Sequence, residues 1–430
     1  MNFLFLAFEY PPMNTGGAQR PARLARALVN EGHSVTVVTA SITQGEEPSD
    51  GVKVYRIAAK PTSWASRLRE SAWLSRTDRS GNHWRKPLFQ ALPGIIARHT
   101  PDVLWVTVPP FGIARLGQEV AERFSLPFLF DMRDAWSQWG IAPYPTRWHY
   151  EAVRKLEQRI LQSAEAIAVT TNEMRSDLLR VQPLIHPKKI SVLKNGYEGE
   201  VNAHSMTTLR KPTHDAPLRI GYVGSFYYTP QRHRLMLAKW YTKKPHQWLQ
   251  YTPRIEDWRY RSPYFVFKAF EAFQQAHPEL ADCLKFEFVG HVPDWLREMV
   301  TGASLEQHVV LHGPKTHDSA MEFVSNCDVM LATSVKVHGG VDYCIAGKTY
   351  EYVQLMKPVL GFVTKGAQRN FLDATGLLLE VNPDDTAAAV RTLHQLATGR
   401  VSLTPAAQFI EGASILNTAK QLISIAREIV

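Results

Sequence analysis

Two short stretches hold residue types that could grip an anion and a sugar. The first, Tyr10-Pro11-Pro12-Met13-Asn14-Thr15-Gly16-Gly17, separates an apolar N-terminal run from an amphipathic stretch opening near Ala18. Glycine at Gly16 and Gly17 lets backbone N–H groups approach a phosphate at a helix N-terminus, where partial positive charge favours an anion. The spacing is not that of a dinucleotide fingerprint, and the ending of a P-loop is missing. A plain tight turn would use the same glycines. The second stretch is Gly347-Lys348-Thr349-Tyr350-Glu351-Tyr352, with Lys357-Pro358-Val359 after it. Lys348 and Glu351, three apart, share a face in the first turn of a helix. A cation there pairs with a diphosphate, and a carboxylate accepts from ribose hydroxyls. A surface ion pair is the plainer use of that spacing. Neither Asp-x-Asp nor His-Glu-x-x-His occurs to hold a metal, nor Gly-x-Ser-x-Gly to present a nucleophile.

These stretches must be positioned by the elements around them. Short apolar runs alternate with amphipathic ones, which predicts an α/β fold of parallel sheets with crossover helices. Strands are expected at residues 2–8, 34–39, 52–57, 103–108, 127–131, 166–170 and 190–193, and helices at 18–31, 113–124, 148–163 and 172–181. Alternation lapses over residues 204–217, which read as a linker, and restarts with strands at 218–224, 285–289, 309–311, 328–332, 358–362 and 376–380. The division predicted is a first domain over 1–203, a second over 218–413, and a last helix over 414–430 packing back on the first. A chain of 430 residues suits two such domains, since single cores stop growing near ~250–300 residues.

Composition narrows the class. Hydrophobic residues make up 45% and charged ones 21%, and no run approaches the length of a membrane span. The opening Met1-Asn2-Phe3-Leu4-Phe5-Leu6-Ala7-Phe8 lacks a basic start and meets Glu9 early, so it reads as a buried strand rather than a leader. Three cysteines with no close pair and no zinc spacing suit a reducing cytoplasm. The net charge of +9 is concentrated: residues 60–86 carry seven Lys or Arg against two acids, and 227–263 eight against two. Both segments are rich in Trp and Tyr. Trp64, Trp73 and Trp84 among basic residues could meet anionic lipid headgroups at the inner face of a membrane, or pack on the domain. The second segment reads as cover over a substrate cleft, in preference to a platform for single-stranded nucleic acid.

The run from Gly347 to Gly361 resembles the donor-site signature of retaining family 4 glycosyltransferases with the GT-B fold, Lys-Leu-Phe-Glu-Tyr followed by a small loop and Lys-Pro-Val. Gly16-Gly17, Arg133-Asp134-Ala135-Trp136, Lys194-Asn195-Gly196, Gly221-Tyr222-Val223-Gly224, Phe288-Val289-Gly290, Leu311-His312-Gly313 and Cys327-Asp328-Val329-Met330 match further elements in order. The resemblance implies two Rossmann-like domains, a nucleoside diphosphate sugar on the second, a hydroxyl acceptor on the first, and reaction in the cleft between them.

It further implies that Glu351 binds ribose, Lys348 and the neighbouring Thr349 the diphosphate side, and Gly16 and Gly17 the leaving group, while Asp134 contacts acceptor or sugar hydroxyls as the candidate catalytic residue. A helix cap would explain Asp134 as well. Where many members carry a second Glu, this chain has Tyr343 beside Asp342. The basic residue that neutralises the diphosphate after the first strand of the second domain falls in the 227–263 expansion, with Arg232 and Arg234 among the candidates. No metal and no cofactor are implied beyond the sugar nucleotide as co-substrate. The acceptor would be a glycan, a lipid-linked saccharide or a small hydroxyl compound. A sugar-nucleotide epimerase, a phosphorylase or a non-catalytic scaffold are the other uses of this fold.

Overall fold

The computed structural model describes residues 1–13, 15–41, 45–59, 80–138, 140, 143–202 and 209–430. Two compact units share the chain: Met1–Glu198 with Lys244–Pro253 and Ala413–Val430, and Gly199–Lys243 with Arg254–Gly412.

The first unit is built on β1 (Asn2–Ala7), β2 (Ser34–Ser41), β3 (Gly45–Ser49), β4 (Val52–Ala58), β5 (Val103–Val108), β6 (Phe128–Met132), β7 (Ala166–Val169) and β8 (Ile190–Val192), in the order β3-β4-β2-β1-β5-β6-β7-β8. All neighbours are parallel except β3 on β4. Helices α1 (Gly16–Asn30), α2 (Ser80–His99), α3 (Gly112–Phe124), α4 (Arg147–Ser163) and α5 (Asn172–Val181) make the crossovers. The central strands bury side chains on both faces, which is why β1 and β5 read as unbroken apolar runs. Phe5 and Trp105 meet across them at a 4.2 Å centroid separation. Because β2 lies on one side of β1 and β5 on the other, the strand order reverses there, and a crevice opens at their carboxyl ends.

Two features of this unit differ from the sequence reading. β3 adds an antiparallel edge, and α2 occupies part of the basic aromatic segment. Trp84 is fully buried in α2, with its indole N–H donated to the Ile57 carbonyl at 3.1 Å, so it is a core residue and no lipid anchor. Trp64 and Trp73 lie outside the described residues. The helix was legible in the buried stripe Trp84, Leu88, Leu92 and Ile95 at i, i+4, i+8 and i+11, but Pro87 and Pro93 inside it obscured the pattern.

The C-terminal helix Ile415–Ile429 completes this core: Ile415, Ala419, Leu422, Ile423 and Ala426 share one cluster with Leu24, Ala25 and Leu28 of α1. Its entry is fixed where Tyr197 pairs with Ser414. A side chain on Gly196 would run into the Ser414–Ile415 backbone, which explains the glycine in Lys194-Asn195-Gly196.

The second unit is a six-stranded parallel sheet, β12-β11-β9-β13-β15-β16, made of β9 (Leu218–Val223), β11 (Leu284–Val289), β12 (Val309–Leu311), β13 (Val329–Thr333), β15 (Val359–Phe362) and β16 (Leu378–Val381). The short β10 (Glu256–Asp257) and β14 (Lys336–Val337) pair antiparallel beside it. Its helices include α6 (Pro230–Leu237), α7 (Tyr264–Ala276), α8 (Asp294–Gly302), α9 (His317–Asn326), α10 (Gly347–Gln354), α11 (Ala367–Thr375) and α12 (Thr386–Ala397). Strand order reverses at β9, again beside the first βα turn. The boundary between units does not follow the chain as the sequence reading had it. Residues 244–253 belong to the first unit, because Tyr144 and Tyr251 exchange backbone hydrogen bonds of 2.8 and 3.0 Å and the Tyr251 ring packs 4.9 Å from Tyr150.

Candidate active site

In the first unit the Gly16-Gly17 turn opens α1 at the reversal point. Thr15 caps the helix by accepting from the Ala18 N–H at 3.2 Å and donates its hydroxyl to Glu9 at 2.8 Å. A methyl on Gly16 would meet open space, whereas one on Gly17 would collide with the Glu9 carboxylate and the Arg133 guanidinium. Arg133 donates to the Gly17 and Pro109 carbonyls, so the turns after β1, β5 and β6 are tied together by one cation. Burial lowers the Arg133 pKa, opposed by the carboxylates of Asp134, Asp131 and Glu9. Asp134, next in sequence and half-buried, thus lies in the same neighbourhood as the glycine turn.

Behind this rim sits a buried frame that the sequence did not reveal. Arg20 pairs with Asp131 through two bonds of 3.0 and 2.8 Å and also donates to the Leu193 and Lys194 carbonyls and the Asn195 side chain. The guanidinium therefore has an acceptor for each of its nitrogens, as a buried charge requires. Glu157 of α4 is likewise buried. Its carboxyl accepts from the Ser137 hydroxyl at 2.5 Å, the Ser137 N–H at 3.2 Å and Gln182 at 2.7 Å. Burial raises its pKa against those hydrogen bonds. The signal was present in the sequence: Glu157 falls on the same helical face as Val153 and Ile160, where an apolar residue is expected.

In the second unit α10 presents Lys348 and Glu351, both half-buried, at the carboxyl end of β9. Lys348 Nζ donates to the Val223 carbonyl at 2.7 Å and rests 3.3 Å from the Tyr222 ring centroid. One turn on, the Tyr352 hydroxyl accepts from the Val223 N–H at 3.3 Å, so α10 grips both polar groups of one strand residue. Burial holds the Lys348 pKa well below the usual lysine value; the Arg261 charge adds to this and Glu351 opposes it. Thr349 is fully buried and accepts from Gln368 at 2.8 Å, while Gln368 in turn accepts from the Ala346 N–H at 2.8 Å. The Thr349 hydroxyl is thus engaged inside the unit.

The basic aromatic segment supplies the surroundings. Arg232 donates to the Tyr227 carbonyl at 3.2 Å. The arginine whose charge reaches Lys348 is instead Arg261, which also donates to Cys344 Sγ at 3.7 Å. Arg254 stacks on the Tyr343 ring at 3.6 Å and pairs with Glu256 at 2.7 Å. Burial pushes the Glu256 carboxyl up to about 7, with Arg254 opposing and Asp342 reinforcing the rise. Arg261 and Arg254 fall within the 227–263 expansion but could not be singled out there, because that stretch returns to the Asp342-Tyr343 loop only in three dimensions.

Among the described residues no group of three or more His, Cys, Asp or Glu side chains could hold a metal, and no helix is long and apolar enough to cross a membrane. The three cysteines are free.

Residues 15–196 match the glycosyl transferase 4-like domain. No curated protein matches the chain in sequence. Solved structures resemble it over its full length. Sucrose-phosphate synthase from Thermosynechococcus elongatus is 14% identical with a TM-score of 0.63, covering 100% of this chain and 98% of that one. An E. coli trehalose-6-phosphate structure bound with UDP-2-fluoro glucose is 13% identical with a TM-score of 0.61, covering both chains completely. A lipopolysaccharide outer core galactosyltransferase in its apo form is 10% identical with a TM-score of 0.59, again over 100% of each chain. The first unit thus carries a match to the glycosyl transferase 4-like domain, and the chain as a whole shares the two-sheet GT-B fold of these structures.

Proposed function

We propose that the protein moves a sugar, with retention at its anomeric carbon, from a nucleoside diphosphate sugar held by the second unit to a hydroxyl of a glycan, lipid-linked or small acceptor contacted by the first. The observation that carries this reading is the pair Lys348 and Glu351 on the first turn of α10 at the end of β9, with Arg261 close enough to perturb Lys348. Lys348 and Arg261 would take the diphosphate charge and Glu351 the ribose hydroxyls, with Gly16 and Gly17 offering N–H groups to the leaving side. The UDP-2-fluoro glucose in the E. coli relative supports a donor of this class. As the C1–O bond to the diphosphate breaks, negative charge grows on its oxygen, where fixed donors stabilise it. The acceptor oxygen bonds C1 from the face of departure, and its proton passes to the leaving phosphate. Asp134 is the residue proposed to orient the attacking or sugar hydroxyl. In this reading no cofactor or divalent ion is required, and the free cysteines suit work in the cytoplasm, at the inner membrane face where the acceptor is lipid-linked.

The test is a panel of nucleoside diphosphate sugars assayed by calorimetry and by slow nucleotide release, with wild type beside Lys348→Ala and Glu351→Ala. One donor class should bind, each substitution should weaken it by about tenfold or more, and excess chelator should leave turnover intact. If no sugar nucleotide binds, or if both variants bind as wild type does, the donor assignment fails. A changed free sugar released without any acceptor would identify an epimerase.

A further inference from the structure

We infer that the outer face of α4, together with segment 244–253 beside it, is a docking surface for an anionic lipid bilayer. Along α4, Trp148, Lys155 and Arg159 fall at i, i+7 and i+11, on one face of the helix, and line one shallow groove. Trp148 is 65% exposed, an unusual setting for the largest apolar side chain. Segment 244–253 is anchored next to the start of this helix by Tyr251, which pairs with Tyr144 and lies under the Arg147 guanidinium at 5.9 Å. The anchoring leaves large groups of the segment outside: Trp248 is 52% and Leu249 69% exposed, and Lys244 is exposed as well.

The net charge on this surface is positive. The acid in the groove, Glu151, is already paired with Arg154 at 2.9 Å, and the other acid of α4, Glu157, is buried. Residues 216–255 contain no acid at all. Exposed indoles and a leucine ringed by Lys and Arg match a membrane interface, where rings sit at headgroup level, an aliphatic tip enters the acyl boundary and cations meet lipid phosphates. A nucleic acid would use the rings and cations but not Leu249. The inference deepens the lipid-linked acceptor reading and rests on it for its purpose, yet it is measured without sugar transfer, so each can fail alone.

The experiment floats the full chain with vesicles of phosphatidylcholine, alone or mixed with phosphatidylglycerol, at low and physiological salt. Wild type should bind the anionic vesicles only, lose affinity with salt and shift its indole emission to the blue. The pair Lys155→Glu and Arg159→Glu should weaken binding at least about tenfold, and the pair Trp248→Ala and Leu249→Ser several-fold. Both pairs lie on the surface, so unfolding temperature and donor binding should stay as in wild type, separating lost docking from lost folding. No binding at low salt, or equal binding by wild type and both variant pairs, overturns the inference. So does preferential binding of single-stranded RNA that the same variants abolish, which would hand the surface to a nucleic acid.

Discussion

Lys348 occupies a setting that favours an anion over water. Its ammonium has one carbonyl acceptor and an aromatic face, Arg261 repels it, and burial depresses its pKa well below the usual lysine value. A diphosphate placed there would reverse the balance and raise that pKa. Donor binding should therefore take up a proton at pH values between the free and bound pKa, and affinity should fall as pH rises through that window, by at most about one log unit per pH unit. Calorimetry in buffers of different ionisation enthalpy measures the uptake. Lys348→Arg should abolish it, since an arginine stays protonated in both states. An equal heat in every buffer would show that Lys348 does not meet the phosphates. Lys348 and Glu351 were legible in sequence because their spacing on one helix already defines a shared face. Arg20 and Asp131 were not, since 111 residues separate two charges that pair only in the folded chain.

Among elements, α10 matters most, and its position is set from outside. It has no side-chain cap of its own, Ala346 standing at that place. Gln368 of α11 substitutes: its carbonyl accepts from the Ala346 N–H and its amide donates to Thr349. Removing it strands the buried Thr349 hydroxyl, at ~1–3 kcal/mol, and the half-buried Ala346 N–H at less. Gln368→Ala should lower thermal stability and weaken donor binding several-fold by freeing the turn that carries Lys348, with little effect on the bound donor's rate of transfer. Thermal unfolding and a split of donor KM from kcat check this; an unchanged KM in a destabilised variant would confine Gln368 to folding. The parallel strands of both sheets, the C-terminal helix and the first unit's helices other than α2 could be read from alternation and periodicity alone. What could not be read is how elements are clamped, because Gln368 or the returning β10 strand contributes through partners far along the chain.

At the scale of the molecule, the first unit is discontinuous: it takes in Ala413–Val430 from the far end of the chain and Lys244–Pro253 from the middle. The C-terminal helix is no accessory. Ile415, Leu422 and Ile423 are buried within the same cluster as α1 and β1, and at ~1.5–3 kcal/mol for each large apolar side chain they supply roughly 5–9 kcal/mol. That rivals the whole net stability of about 5–15 kcal/mol typical of a domain. A fragment of residues 1–198 should therefore not fold cooperatively, even though it holds the whole eight-stranded sheet and all of the matched domain. It should be cleaved quickly by protease and should lack a sharp thermal transition. A peptide of residues 413–430 added in trans should restore protection in proportion to its concentration, because it would rebuild the face of α1 that the fragment exposes. The same peptide with Leu422→Ala and Ile423→Ala should fail. If the fragment alone unfolded as sharply as the full chain, the helix would be a decoration on a self-sufficient unit. The glycine at Gly196, where the Ser414–Ile415 backbone approaches too closely for any side chain, argues that the junction is built into the core.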